Sequence, residues 1–229
     1  MAPSQTSNSG GGLTRLLMII GIVIGALTPV YYLLERNLES FYLFDREELH
    51  AVAKRNVETF GNDTRAIVQS IVAELHGKYP DNVNPDHSEW FFNNAGGAMG
   101  GMYIIHASIT EYLIIFGTTI GTEGHTGRHT ADDYFHILTG SQQAYAPGDY
   151  EPEVYLPGSV HHLRRGVVKQ YKMPDGGCFA LEYARGWIPP MMFFGFADGL
   201  SSTLDFPTLW RTTYVTAREM GKNLLAGKF

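Results

Sequence analysis

The sequence predicts a mainly β domain, a barrel or sandwich, with one apolar helix ahead of it and helices after it. Three observations carry this. Between residues 90 and 185, short apolar segments with period-two alternation follow one another closely, as antiparallel strands do. Turn signals separate them at Gly96-Gly97, 121–127, Pro147-Gly148, Pro157-Gly158 and 174–177. No helix-length pattern interrupts the run, which argues against a parallel α/β sheet. Finally, residues 16–34 carry no charge, and a bilayer crossing takes about 20 apolar residues.

Residues 1–12 are rich in Ser, Gly, Asn and Gln and read as a disordered tail. Residues 13–36 read as a transmembrane helix. Arg15 stands before its apolar run and Glu35-Arg36 after it; Tyr31 and Tyr32 suit a membrane interface. A signal peptide built on 16–27 is the alternative, but Gly25-Ala26 makes a poor cleavage site. Residues 37–88 form a helical region expected to pack on the β domain. Its first helix, 45–60, opens on Asp45 with Glu48 three residues on, and carries the stripe Leu49, Val52, Ala53, Val57, Phe60. Its second runs from Asp63 to about 79. The expected strands are 90–94, 99–107, 111–119, 133–138, 153–155, 159–162, 167–172 and 178–185. After Pro190 the chain turns helical: 191–200 is apolar nearly all round, and Asp205 caps a helix to 225. In that helix Phe206, Leu209, Trp210, Tyr214 and Leu224 alternate with Arg211, Arg218 and Lys222. It fits either packing on the β domain or a place on a membrane surface.

Composition removes several function classes. The net charge is −6 with no basic block, which argues against nucleic acid. The single cysteine, Cys178, forms no internal disulfide and reads as core. His125 and His129 lie four apart in a glycine-rich turn, His161 and His162 are adjacent, and no H-x-H pair occurs; no metal centre is expected. No phosphate loop and no G-x-S-x-G elbow is present.

Acids within an aromatic β domain remain. Glu182 sits mid-strand and shares its face with Cys178, Ala180 and Ala184, all small, which leaves space for something bulky. Taken alone, it also fits a solvent-facing residue paired with Arg185 or Lys172. Asp133 shares a face with Phe135 and Ile137; Tyr112, Ile114 and Phe116 share another, as do Met102, Ile104 and His106. If these faces line one interior, it is apolar and holds one or two carboxyls. Burial there favours the protonated acid, which can act as a general acid on an apolar substrate.

Residues 94–129, NAGGAMGGMYIIHASITEYLIIFGTTIGTEGHTGRH, and 180–190, ALEYARGWIPP, closely resemble the fungal sterol C-8 isomerase family, homologous to the mammalian sigma-1 receptor. The resemblance covers most of the chain. It implies a cupin-like β-barrel over 89–188, one amino-terminal membrane helix, and a pair of membrane-associated helices over 189–229. It further implies a homotrimer in the endoplasmic reticulum membrane, a sterol substrate, lipophilic amines as inhibitors, no cofactor, and transfer of a double bond from C8 to C7, as from fecosterol to episterol in ergosterol synthesis. Glu182 matches the family's pocket glutamate and Tyr112 the tyrosine that hydrogen-bonds it. Met102, Ile104, Phe116, Ile188 and Met192 match pocket-lining positions. Phe135 stands where the receptor branch has an aspartate, so that branch's carboxyl pair is not kept in place; Asp133, on the same face, is expected to supply the second acid. Trp90, Phe116 and Tyr112 are expected to offer ring faces to a cationic intermediate. The alternative function is a non-catalytic, receptor-like ligand-binding membrane protein.

Overall fold

The computed structural model describes residues 10–229. The expected tail falls outside them up to residue 9; from Gly10 the chain is already helical. Two compact units are distinguished, the first ending at Phe41 and the second comprising Tyr42–Phe229. In the first, helix α1 (Gly10–Arg36) runs through Pro29 and is followed by a 3-10 turn, Leu38–Phe41. From Gly12 to Arg36 it is long and apolar enough to cross a membrane, by length and composition.

The second unit opens with α2 (Arg46–Phe60) and α3 (Thr64–Lys78). Each starts on an aspartate whose carboxyl accepts orphan backbone N–H groups: Asp45 from Glu47 and Glu48 (2.9 and 2.8 Å), Asp63 from Ala66 (3.0 Å). Ten strands follow among the described residues: β1 (Phe91–Ala95), β2 (Ala98–Ala107), β3 (Glu111–Thr118), β4 (Thr122–His125), β5 (Ala131–Thr139), β6 (Gln142–Tyr145), β7 (Glu153–Tyr155), β8 (Val160–Leu163), β9 (Gln170–Met173) and β10 (Cys178–Gly186). The sequence missed β4 and β6. They read TEGH and QQAY, polar segments without an apolar alternation to announce them.

The strands form a six-stranded sheet, β1-β2-β3-β10-β5-β8, and a four-stranded sheet, β4-β9-β6-β7, antiparallel throughout. The sheets join at a corner, where His125 N donates to Gly96 O (2.8 Å). Among the described residues, ladder pairing does not run continuously round the two sheets, so the expected barrel is here a two-sheet enclosure.

The six-stranded sheet is covered on both faces. Tyr103, Ile105, Leu113, Ile115, Leu181 and Tyr183 pack against α2 and α3. Met102, Ile104, Ile114, Phe116, Phe135 and Ala180 face the other way, into a second core. This is the period-two separation read from the sequence, with one exception. A bulge between Ile104 and His106 turns His106 to the helix side, where its ring meets Phe44 edge-on (5.0 Å) and Nδ1 bonds Asn82 O (2.9 Å).

Beyond β10 come a 3-10 turn (Pro189–Met191), α4 (Met192–Asp198) and α5 (Phe206–Leu225). Asp198 anchors α4 by accepting from Gly97 N (2.7 Å). Helix α5 inverts the usual amphipathic arrangement. Its buried side is Thr212, Val215, Thr216, Glu219 and Asn223, fixed by Asn223 to Ala107 O (2.9 Å) and by Arg218 to Glu89 (2.7 Å). Its outer side carries the large apolar residues Phe206, Trp210 (72% exposed), Tyr214, Leu224 and Leu225, with Arg211 and Lys222 exposed among them.

A second polar anchor lies on the far side of β3. Glu111, fully buried, accepts from Leu43 N (2.6 Å), Phe44 N (3.0 Å) and the Tyr183 hydroxyl (2.6 Å), and pairs with Lys228 (2.9 Å).

Candidate active site

Strand β10 lies between β3 and β5, so the register fixes what surrounds Glu182. Across the ladders it faces Ile114 and Phe135; Ala184 faces Tyr112 and Asp133; Ala180 faces Phe116 and Ile137. The small Ala180 and Ala184 leave the space above Glu182 open. That space is a cavity of about 110 Å³. The large sheet contributes Met102, Tyr112, Phe116, Phe135 and Glu182. Tyr171 and His125 close it from the smaller sheet, and His129 from the segment before β5. Met192, Phe194 and Phe196 of α4 and Thr212 of α5 form its roof.

Asp133 is enclosed, with no exposed surface, and does not border the cavity. Its carboxyl is close enough to Glu182 to act on it electrostatically, and its Oδ2 is 3.3 Å from His129 Nδ1. Among the described residues, neither of its oxygens has a hydrogen-bond partner. Burial, above all, pushes the Glu182 carboxyl well above the usual carboxylate range, and the neighbouring Asp133 pushes it the same way. Burial also pushes the Tyr171 hydroxyl up, with further contributions from Glu182 and Asp133, so that phenol stays neutral beside the pair. Lys172 lies by Glu123 (3.9 Å) and Arg185 over the Tyr42 ring (4.7 Å); the solvent-facing alternative for Glu182 is not what the fold builds.

The structure brings together Glu182, Asp133, Tyr112, Met102, Phe116, Phe135 and Met192. Ile104 and Ile188 are fully buried in the same core, behind the lining. Trp90 is a correction. Strand alternation puts Phe91, paired with Met102, on the cavity side and Trp90 on the opposite one, 5.8 Å from the Tyr103 ring and 6.3 Å from that of Phe179. It borders a larger groove of about 950 Å³ beside α3, whose lining contains no carboxylate, and it offers no ring face to Glu182. Tyr112 differs in detail: its hydroxyl lies 3.4 Å from Thr216 Oγ1 on α5 rather than on Glu182. Cys178 is a buried thiol pushed up to about 12 by desolvation, which suits core rather than nucleophile. Sequence reasoning passed over His129 as half of a poor metal pair. Its signal was parity, since 129, 131 and 133 fall on one face of an extended segment.

A buried carboxyl pushed towards its protonated form at the foot of an apolar cavity defines a class: proteins that hold an apolar molecule against a carboxyl able to protonate it or to pair with its positive charge. The chain belongs to the family described as ERG2 and Sigma1 receptor like protein, whose model matches residues 21–228. It is 67% identical over 226 residues to a Gibberella zeae protein named C-8 sterol isomerase ERG2, covering 99% of this chain and 95% of that one. A Neurospora crassa protein named C-8 sterol isomerase is 69% identical over 215 residues, 93% and 83% of the two chains. The Sigma non-opioid intracellular receptor 1 of Taricha granulosa is 37% identical over 209 residues, 90% and 92%. Among solved structures, an RmlC-like cupin from Shewanella frigidimarina superposes with a TM-score of 0.38 at 12% identity, over 46% of this chain and 91% of that one, too loose a match to assign a fold.

Proposed function

We propose that this protein is a sterol C-8 isomerase, moving the nuclear double bond from C8 to C7 by proton transfer, as in the conversion of fecosterol to episterol in ergosterol synthesis. The observation that carries this is near-full-length identity of 67–69% to proteins of that name, together with a raised carboxyl facing an apolar cavity. Protonated Glu182 adds its proton to C9 of the alkene, leaving a cation at C8. The new Glu182 carboxylate, with Asp133 behind it, stabilises that cation; a pair of opposite charges about 4 Å apart gains roughly 4 kcal/mol at an effective dielectric near 20. Phe116 and Tyr112 ring faces add to this. Loss of the C7 proton to Glu182, the one of the two acids that borders the cavity, forms the Δ7 alkene and restores the starting state. No cofactor is needed for these steps.

The setting belongs to the same proposal. Helix α1 crosses the membrane of the endoplasmic reticulum once. The apolar outer side of α5, with Phe193 and Leu200 of the preceding segment also exposed, rests on lipid, so that 189–229 is a membrane-associated pair. Residues 37–88 back the site and 89–188 close round it as a cupin-like two-sheet enclosure, in a homotrimer. Lipophilic amines bind by mimicking the cation.

Turnover of a Δ8 sterol in deuterated water by detergent-purified protein tests this. Wild type gives a Δ7 product with deuterium at C9, and Glu182→Gln gives none. A folded, amine-binding wild type without product overturns the isomerase in favour of the receptor-like reading, which 37% identity to a sigma receptor supports and in which Glu182 anchors a cationic ligand.

A further inference from the structure

Resting on the isomerase reading, we infer that Tyr171 is a specificity-determining residue: its phenol receives the ring-A hydroxyl of the sterol in a hydrogen bond and so sets the ring-B alkene against Glu182.

A Δ8 sterol is hydrocarbon apart from that one hydroxyl. Taken into an apolar cavity, the hydroxyl gives up water, which costs affinity unless the protein supplies a partner. C8 and C9 belong to ring B, which is fused to ring A. The partner must therefore lie close to the acid that protonates C9, not at the far end of the cavity.

Tyr171 meets both demands. It sits on β9, between β4 and β6 in the small sheet, and its ladder neighbours are Gly124 and Ala144. Neither is large enough to crowd the ring, which forms part of the cavity wall. Among the described residues, its hydroxyl has no hydrogen-bond partner. Burial, first of all, keeps it neutral, and Glu182 and Cys178 of β10 lie near enough to act on it electrostatically. A neutral phenol both donates and accepts. Left without a partner it is a cost to the fold, and a ligand hydroxyl removes that cost.

The other polar groups of the wall are engaged or misplaced. Thr126 Oγ1 accepts from Lys169 N (2.9 Å) and donates to Gly127 O (3.2 Å). Thr212 Oγ1 donates to Thr208 O (2.9 Å), and the Tyr112 hydroxyl lies 3.4 Å from Thr216 Oγ1. His125 is solvent-exposed, with Nδ1 accepting from Gly127 N (2.9 Å). Both His129 nitrogens are buried. Asn93 is on β1, three strands from β10, or roughly 14 Å along the sheet. The roof side chains Met192, Phe194 and Phe196 form no conventional hydrogen bonds and suit the hydrocarbon tail. The sterol thus lies with its hydroxyl at Tyr171 and its tail under α4.

The test crosses one substitution with one change of ligand, in the full chain in detergent. Cholestan-3β-ol and cholestane, which lack the alkene, compete against a tritiated sterol. Wild type is expected to bind the alcohol about three- to tenfold more tightly, the worth of one neutral hydrogen bond. Tyr171→Phe should bind the two equally, with its affinity for cholestane unchanged and its melting temperature no lower than that of wild type. Tyr171→Met is a second hydroxyl-free variant, read in the same way. In turnover, kcat/KM for a 3β-hydroxy Δ8 sterol falls by the same factor in Tyr171→Phe, while that for the 3-deoxy Δ8 analogue does not change. A wild type without preference for the alcohol, a preference kept in the variants, or an equal loss of both ligands overturns the inference. A wild type that turns over no sterol refutes the isomerase reading instead, and the binding comparison still decides the role of Tyr171.

Discussion

Glu111→Gln tests how the fold around the site is held. The wild-type carboxylate is enclosed and meets two backbone N–H groups, the Tyr183 hydroxyl and the Lys228 ammonium, the last 10% exposed in its side chain. Gln keeps the shape and one acceptor but removes the charge. Breaking one side of a buried ion pair costs about 3–5 kcal/mol. Burial already lowers the Lys228 pKa, with Glu111 the main group opposing it. Should Lys228 swing out to water, what remains is the lost charge-assisted hydrogen bonding, about 1.5–3 kcal/mol. The expected loss is therefore about 3 kcal/mol, between 1.5 and 5. Urea unfolding of the full chain in mild detergent, followed by tryptophan fluorescence, measures it. Lys228→Met and the double variant complete a cycle whose coupling should exceed about 0.5 kcal/mol. A Glu111→Gln protein within about 0.5 kcal/mol of wild type, the range of ordinary surface changes, would refute the reasoning.

Further expectations concern the acid pair, the membrane face and the sheet. Because the folded-state pKa of Glu182 is raised above 4.5, the folded state retains a proton that the unfolded chain releases. Its contribution is fully present below pH 4.5 and is lost as pH rises towards the folded value, at up to about 1.4 kcal/mol per unit. Glu182→Gln should thus be more stable than wild type at neutral pH, with the two converging on acidification; parallel stability curves would argue against the raised acid. Trp210 fluorescence should be quenched by vesicles of brominated lipid, and Trp210→Phe should abolish the quenched component; undiminished quenching would place the lipid contact elsewhere. Gly100→Ala puts a Cβ 2.6 Å from Gly117 O and 2.8 Å from the Phe116 ring. A loss of about 1–3 kcal/mol and slower turnover should follow, and an unchanged melting temperature would mean that the β2–β3 contact yields freely.

Much of the fold was legible because its large sheet is covered on both faces. Tyr112, Ile114 and Phe116 against Leu113 and Ile115 is a period-two signal that survives in the sequence, whereas the register that sets Glu182 opposite Phe135 appears only in the fold. The same rule applied one residue too far misplaced His106, since nothing in IIHA marks a bulge. Trp90 was selected by chemistry rather than by parity, and parity put Phe91 in its place. Strands β4 and β6 were silent because their alternation is carried by polar side chains and glycine. The acid pair was half legible: strand parity pointed to Asp133, while its enclosure behind Glu182 and its contact with His129 depend on the approach of other segments, which no local pattern records.

The size of the cavity has a consequence for affinity. Pockets for drug-sized ligands run to about 300–1,000 Å³, and here about 110 Å³ lies beneath Phe194, Phe196 and Met192. If α4 must lift to receive a sterol, the measured dissociation constant is the intrinsic one divided by the fraction so opened. The Asp198 carboxylate on Gly97 N then works against ligand capture. A variant lacking it, far from any proton being moved, should bind more tightly, by about tenfold for every 1.4 kcal/mol it removes from the closed state.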